Sequence, residues 1–268
     1  AITFTQGLNL LLNMFFGPVV NAARGIAVQA QTAIGQFSSN FQTALNPQIT
    51  KSYATGDREY MHSLIFRSAK FSFFLLLFLS LPILIETKAI LTLWLKIVPD
   101  HTVVFLRIML CTTWVYAISN PLITAASATG KIKLYQSVVG GLLLLILPIS
   151  YLCLRLGLPA YSVFIVHLGM EITAQFARLW MLRRMIRLSL REYFTKVIWR
   201  ISKVTIIALA APLAVAYWLP GEGIWNLLTI CLICAISTSM SVYWFGLTSG
   251  EKIYISSRVS SIVSKFRK

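Results

Sequence analysis

The chain has 268 residues, 57% of them hydrophobic and only 12% charged, where soluble globular domains carry about 25%. That composition excludes a water-soluble globule. The formal charge of +16, from 24 Lys and Arg against 8 Asp and Glu, does not describe a nucleic-acid surface either, because the cations fall in the gaps between apolar runs.

A helix needs about 20 predominantly apolar residues to cross a bilayer. The hydropathy pattern predicts eight such segments, at 2–16, 22–49, 71–85, 103–128, 134–154, 161–180, 204–219 and 224–247. The first run has no basic leader and no small-residue cleavage pattern, so it reads as part of a longer chain rather than as a signal peptide. The third run is short and reaches full length only by extending back through Ser68 and Ala69 at a tilt. Between it and the fourth, 86–100 places Leu91, Trp94, Leu95 and Val98 as a short amphipathic helix would, lying at the membrane interface. The basic stretch 181–203 has two readings. As an interfacial helix it would hold anionic lipid through its Arg residues; as a plain connector it would set topology and join two bundles. The tail 248–268 has the same basic character. No repeat or low-complexity segment is visible.

Positive charge marks the cytoplasmic side of a membrane protein. One set of connections, with the tail, holds 18 of the 24 cations, seven of them between Arg183 and Lys203. The opposite set holds Lys88, Lys96 and Arg155. Both terminal segments are therefore expected in the cytoplasm, which an even number of crossings also requires.

Cys111, Cys153, Cys231 and Cys234 all sit in or beside apolar runs. The last two form a C-x-x-C, but no second pair and no neighbouring His completes a zinc site, so packing is their expected role. Paired carboxylates, a nucleophile elbow, a metal-spaced His cluster and a phosphate loop are all absent from the sequence. An enzyme is not expected, nor a cofactor or metal.

Polar residues concentrate in the first two segments. Gln6, Asn9 and Asn13 share one helical face, at i, i+3 and i+7. In the second segment, Gln29, Thr32, Gln36, Asn40, Thr43 and Pro47 line one stripe. Gln31, Gly35, Ser38, Gln42 and Asn46 line another, roughly opposite. A helix polar on both sides is not suited to lipid; it belongs inside protein or against a watery cavity. Interhelical bonding explains any single amide, whereas eleven such positions on one segment favour a cavity wall. Pro47 and the pair Asn120-Pro121 are expected to loosen their helices, since proline lacks the N–H for the ladder.

Charge within the predicted spans is sparse. Arg24 and Arg107 lie near outer ends, where each could clamp a phosphate or snorkel to headgroups. Glu171 is the one acid deep in a span, and His167 precedes it by one turn on the same face. The two suit a proton relay; a local His–Glu bond, or pairing of Glu171 with Arg178, is the structural alternative.

Five stretches resemble the C-terminal half of bacterial lipopolysaccharide or O-antigen flippases of the Wzx type, in the superfamily that also holds the multidrug MATE exporters. They are FFGPVVNAARGIA (15–27), NFQTALNPQITKSYATGD (40–57), FRSAKFSFFLLL (66–77), ILTLWLKIVPDHT (90–102) and TAASATGKIKLYQ (124–136). The resemblance is most specific over 1–136; beyond about 155 it consists of hydropathy and span count. It implies an all-α polytopic bundle in which 1–180 is the second six-helix lobe, 181–203 a basic connector, 204–247 two extra helices and 248–268 a basic tail. It further implies a bacterial inner-membrane protein, a preceding first lobe as partner, and alternating access for an undecaprenyl-pyrophosphate-linked oligosaccharide whose tail stays among the membrane lipids.

Resemblance and polar pattern together nominate Gln6, Asn9, Asn13, Gln29, Gln36, Asn40 and Gln42 to hydrogen-bond sugar hydroxyls, Arg24 to contact pyrophosphate, and His167 with Glu171 to couple transport to a cation gradient. A drug exporter of the same superfamily and a non-transporting assembly subunit remain the alternatives. The charge asymmetry makes a direct prediction. With the native cysteines replaced, Lys133→Cys should react with an impermeant maleimide only from the cytoplasmic side and Arg155→Cys only from the other; the reverse pattern would invert the topology.

Overall fold

The computed structural model describes residues 2–218 and 223–253. Every regular element among them is helical: α1 (Ile2–Ala54), α2 (Arg58–Ile85), α3 (Thr87–Leu95), α4 (Thr102–Ala128), α5 (Ile132–Leu144), α6 (Ile146–Arg155), α7 (Ser162–Met185), α8 (Leu190–Tyr193), α9 (Trp199–Trp218) and α10 (Ile224–Ser241). Wider π-helical turns at Phe194–Ile198 and Val242–Gly246 lengthen α9 and α10. Among the described residues, six helices are long and apolar enough to cross a membrane: Gln6–Ala54, Arg58–Ile85, Thr102–Ala128, Ile132–Arg155, Leu190–Trp218 and Ile224–Gly246. The chain is a helical membrane protein.

Six differs from the eight segments expected, for two physical reasons. The first two segments fall in one element, α1, broken at Gly17 (φ 79°, ψ −176°). Glycine reaches that φ without a Cβ clash, and Pro18 removes the next ladder N–H while steering Gly17 out of the α region. Arg24 donates from Nη1 to Oδ1 of Asn9 across this break. Fifteen residues of straight helix would hold the two Cα atoms about 22 Å apart, so the arms on either side of Gly17 fold back on each other. The sixth expected segment is α7, which is long enough but carries Glu171, Gln175 and Arg178 among its apolar residues.

Other expectations meet the structure unevenly. The third segment extends back to Arg58, with Asp57 as N-cap accepting from the Tyr60 N–H at 3.0 Å. The short helix expected here is α3, whose Leu93 and Trp94 are exposed. Arg107 turns to the end of α2, donating to the Ile85 carbonyl at 3.2 Å and to Thr87 Oγ1 at 3.0 Å. The stretch 181–203 is no separate helix: its first residues finish α7, and those from Leu190 open the helix that continues to Trp218. Most of the basic tail, from 254 on and including Arg258, Lys265, Arg267 and Lys268, lies outside the described residues.

Two apolar clusters hold the bundle. One joins the arms of α1 to α4 and to the start of α7 through Leu8, Leu12, Ala27, Phe105, Leu110 and Phe164. The other gathers α2, the second half of α4, the end of α7 and α9–α10 around Met61, Phe74, Leu122, Tyr193 and Ile230. The last pair thus packs directly on α2, and closely: a Cβ at Gly246 would stand 2.8 Å from Phe74. Beside this contact Lys70 Nζ pairs with Glu251 at 2.9 Å and also donates to the Gly246 carbonyl at 3.4 Å. Burial pushes the Glu251 carboxyl up, but the Thr248 N–H and Lys70 together bring it below the ordinary glutamate value.

The break at Gly17 has a clean test. A Cβ there meets nothing within 4 Å, so Gly17→Ala should cost only the penalty for a positive φ with extended ψ, about 1–3 kcal/mol, seen as a lower melting temperature in detergent. No loss would mean that Gly17 does not hold the positive φ.

Candidate functional site

The second arm of α1 carries the polar pattern, and the structure separates its two stripes. The stripe of Gln31, Gly35, Ser38, Gln42 and Asn46 faces α4. Gln31 Nε2 donates to Thr113 Oγ1 at 2.7 Å and to the Met109 carbonyl at 3.2 Å. Thr124 Oγ1 donates to Asn46 Oδ1 at 3.1 Å, and the Thr113 methyl lies beside Gly35. This face is interhelical bonding, the alternative weighed for single amides.

Gln42 has the most specific task. It is 2% exposed, donates to the Ala117 carbonyl at 2.6 Å and accepts from Asn120 Nδ2 at 2.6 Å. Ala117 stands four residues before Pro121, so it is the carbonyl whose helical donor proline deletes. A side chain from α1 supplies the missing bond. Ser237 Oγ does the same for Ala208, four before Pro212, at 3.0 Å. The backbone stays helical at Pro121, and also at Pro47, where loosening was expected; Gly17 alone breaks α1.

The other stripe is different. Gln29, Thr32, Gln36, Asn40 and Thr43 are all exposed. Three of them bond within α1: Thr32 to the Val28 carbonyl, Gln36 to Asn40, Thr43 to the Ser39 carbonyl. From Gln29 to Thr43 the stripe climbs about 20 Å of helix, two thirds of a hydrocarbon core about 30 Å thick. Between the stripes, a groove of about 280 Å³ runs along α1 and α4, with Gln36, Gln31, Ser39 and Tyr116 on its walls.

On the first arm, Gln6 and Asn13 are exposed and Asn9 is partly covered; Asn9 also donates to Gln6 Oε1 at 3.3 Å. Arg24 is buried, at 6% exposure, and held by Asn9. The structure therefore brings Gln6, Asn9 and Arg24 together, leaves Gln29, Gln36 and Asn40 along an open face, and commits Gln42 elsewhere.

Glu171 and Arg178 form an ion pair at 2.8 Å, both side chains almost fully buried. Arg24 and Glu171 both lie close enough to His167 to act on it electrostatically. Around the pair is a network that the sequence reading missed. Arg178 donates to Ser119 Oγ at 3.1 Å, Ser119 to Gln175 Oε1 at 2.6 Å, and Gln175 Nε2 to Tyr193 Oη at 3.3 Å. Tyr193 then donates to the Ile118 carbonyl at 3.1 Å. The spacing of Glu171, Gln175 and Arg178, at i, i+4 and i+7, was the available signal for one polar face on α7.

No group of His, Cys, Asp or Glu that could hold a metal occurs among the described residues, where the four cysteines are free thiols. No protein-family model matches this chain, and neither a curated protein nor a solved structure matches it.

The role of Gln42 can be measured by a double-mutant cycle. Gln42→Leu should cost about 1–3 kcal/mol, as expected when buried polar groups lose partners. The cost should shrink in a Pro121→Ala background, where the restored N–H serves Ala117. An equal cost in both backgrounds would show that the glutamine does not substitute for the deleted bond.

Proposed function

We propose that this chain is the C-terminal half of a Wzx-type flippase, moving a lipid-linked oligosaccharide across the bacterial inner membrane by alternating access. In this reading it makes eight crossings, with α7 and each arm of α1 counted and both terminal segments cytoplasmic. The reading is supported by one observation above the others, the exposed polar stripe on the second arm of α1. A run of amides facing hydrocarbon would be costly, so the stripe borders water or another part of the protein. An amide offers both donors and acceptors, which suits the mixed hydroxyls of a sugar. The first lobe would supply the facing wall.

The sugar-contacting set then comprises Gln6, Asn9, Asn13, Gln29, Gln36 and Asn40, Gln42 being spent on α4. Arg24 is assigned to the pyrophosphate, and His167 with Glu171 to cation coupling. The drug-exporter alternative asks for an acid open to a cationic substrate; Glu171 is buried and balanced by Arg178, which favours the flippase.

The test uses the full-length protein in a strain lacking the gene. Gln36→Leu with Asn40→Leu, and separately Arg24→Ala, should lower surface glycan at least tenfold and leave lipid-linked glycan on the cytoplasmic face, at unchanged protein level in the membrane. Normal export by both variants would remove the site. Normal glycan with altered dye or drug resistance on gene loss would instead select the exporter.

A further inference from the structure

The turn between α4 and α5 and the end of α7 enclose a cavity of about 500 Å³ at the side that the charge asymmetry marks as cytoplasmic. Its walls bring together Lys131, Lys133 and Arg184, with no acid among the lining residues. Elsewhere on this side two cations are neutralised within the chain, Lys70 by Glu251 and Lys196 by Glu192. Among the described residues the three cavity cations have no such ion pair. Three exposed like charges line one concavity, and an anion supplied from outside relieves their mutual repulsion.

The cavity also has an apolar side. Arg184 lies over the Trp180 ring, its guanidinium carbon 4.5 Å from the centroid, and Met181 is buried beneath. From Trp180 an exposed apolar line continues along α7 through Phe176 and Ile172, one turn apart, and along α5 through Leu134 and Val138. Tryptophan at this level marks the membrane–water boundary. A water-soluble phosphate or an acidic peptide would use the cations and leave this line bare.

We propose that the cavity is a binding site for an anionic diacyl phospholipid of the cytoplasmic leaflet. Lys131, Lys133 and Arg184 take the headgroup phosphate, Trp180 sits at the glycerol level, and the chains follow the apolar line between α5 and α7. Basic pockets between membrane helices on the cytoplasmic side have this use in general. None of the lining residues belongs to α1, so the site is separate from the polar stripe and stands on the membrane reading alone, whatever the chain transports.

The experiment is native mass spectrometry of the full-length protein, delipidated in detergent and titrated with phosphatidylglycerol or phosphatidylcholine. Phosphatidylglycerol should be retained at least tenfold better, with the advantage falling as salt rises. The triple variant Lys131→Gln, Lys133→Gln, Arg184→Gln should lose that preference, and Trp180→Ala should weaken retention of phosphatidylglycerol several-fold with the charges intact. Arg184→Lys, which keeps the charge, should retain most of the preference and serves as the folding control. Equal retention of the two lipids, an undiminished preference in the triple variant, or displacement by millimolar inorganic phosphate would each overturn the proposal.

Discussion

In a hydrocarbon core every backbone N–H and carbonyl must find its partner within the protein, and the arrangement of this chain follows from how it meets that demand where its own ladder fails. Proline lies inside several helices, and in α4 and α9 the freed carbonyl is met by a side chain from a neighbouring helix, Gln42 and Ser237 respectively. These bonds are local repairs with long-range results. They fix the register of α1 against α4 and of α10 against α9. At Gly17-Pro18 the chain takes the other course and uses the break to turn.

The same demand sorts the amides of α1. One face is consumed by α4, which is why it needs no ligand. The opposite face bonds only within α1 among the described residues, and a proposal about function rests on that asymmetry rather than on the number of polar residues. Glu171 shows a parallel logic on α7. A lone buried carboxylate would be costly, so it is matched by Arg178, and Arg178 by a chain of hydroxyl and amide groups ending at Tyr193. A buried pair of this kind contributes little net stability but makes loss of either partner expensive, so it holds α4, α7 and α8 in one arrangement.

Much of the architecture was legible before any coordinates. Uncharged runs located the helices, and α3 followed from the spacing of Leu91, Trp94, Leu95 and Val98. What hydropathy could not resolve was continuity. The first two expected segments are helical right up to each other but for the break at Gly17, and the cations of 181–203 hid the fact that this stretch belongs to α7 and to the helix ending at Trp218. The site was legible to the level of a face. Periodicity revealed two polar stripes on α1 but not which one α4 covers, because that depends on a partner 75 to 82 residues away. Gln42 and Pro121 looked like unrelated features for the same reason.

The ion pair between Lys70 and Glu251 bears on the order in which the protein is made. The two residues are 181 positions apart, so α2 leaves the ribosome long before its acid exists. Until then Lys70 must enter the membrane with its charge unmatched, its stem reaching for the interface. Arg200, which also donates to the Gly246 carbonyl, waits in the same way. Completion of this contact therefore falls to the last described turn of the chain, and a nascent chain released before Glu251 would leave Lys70 without its acid.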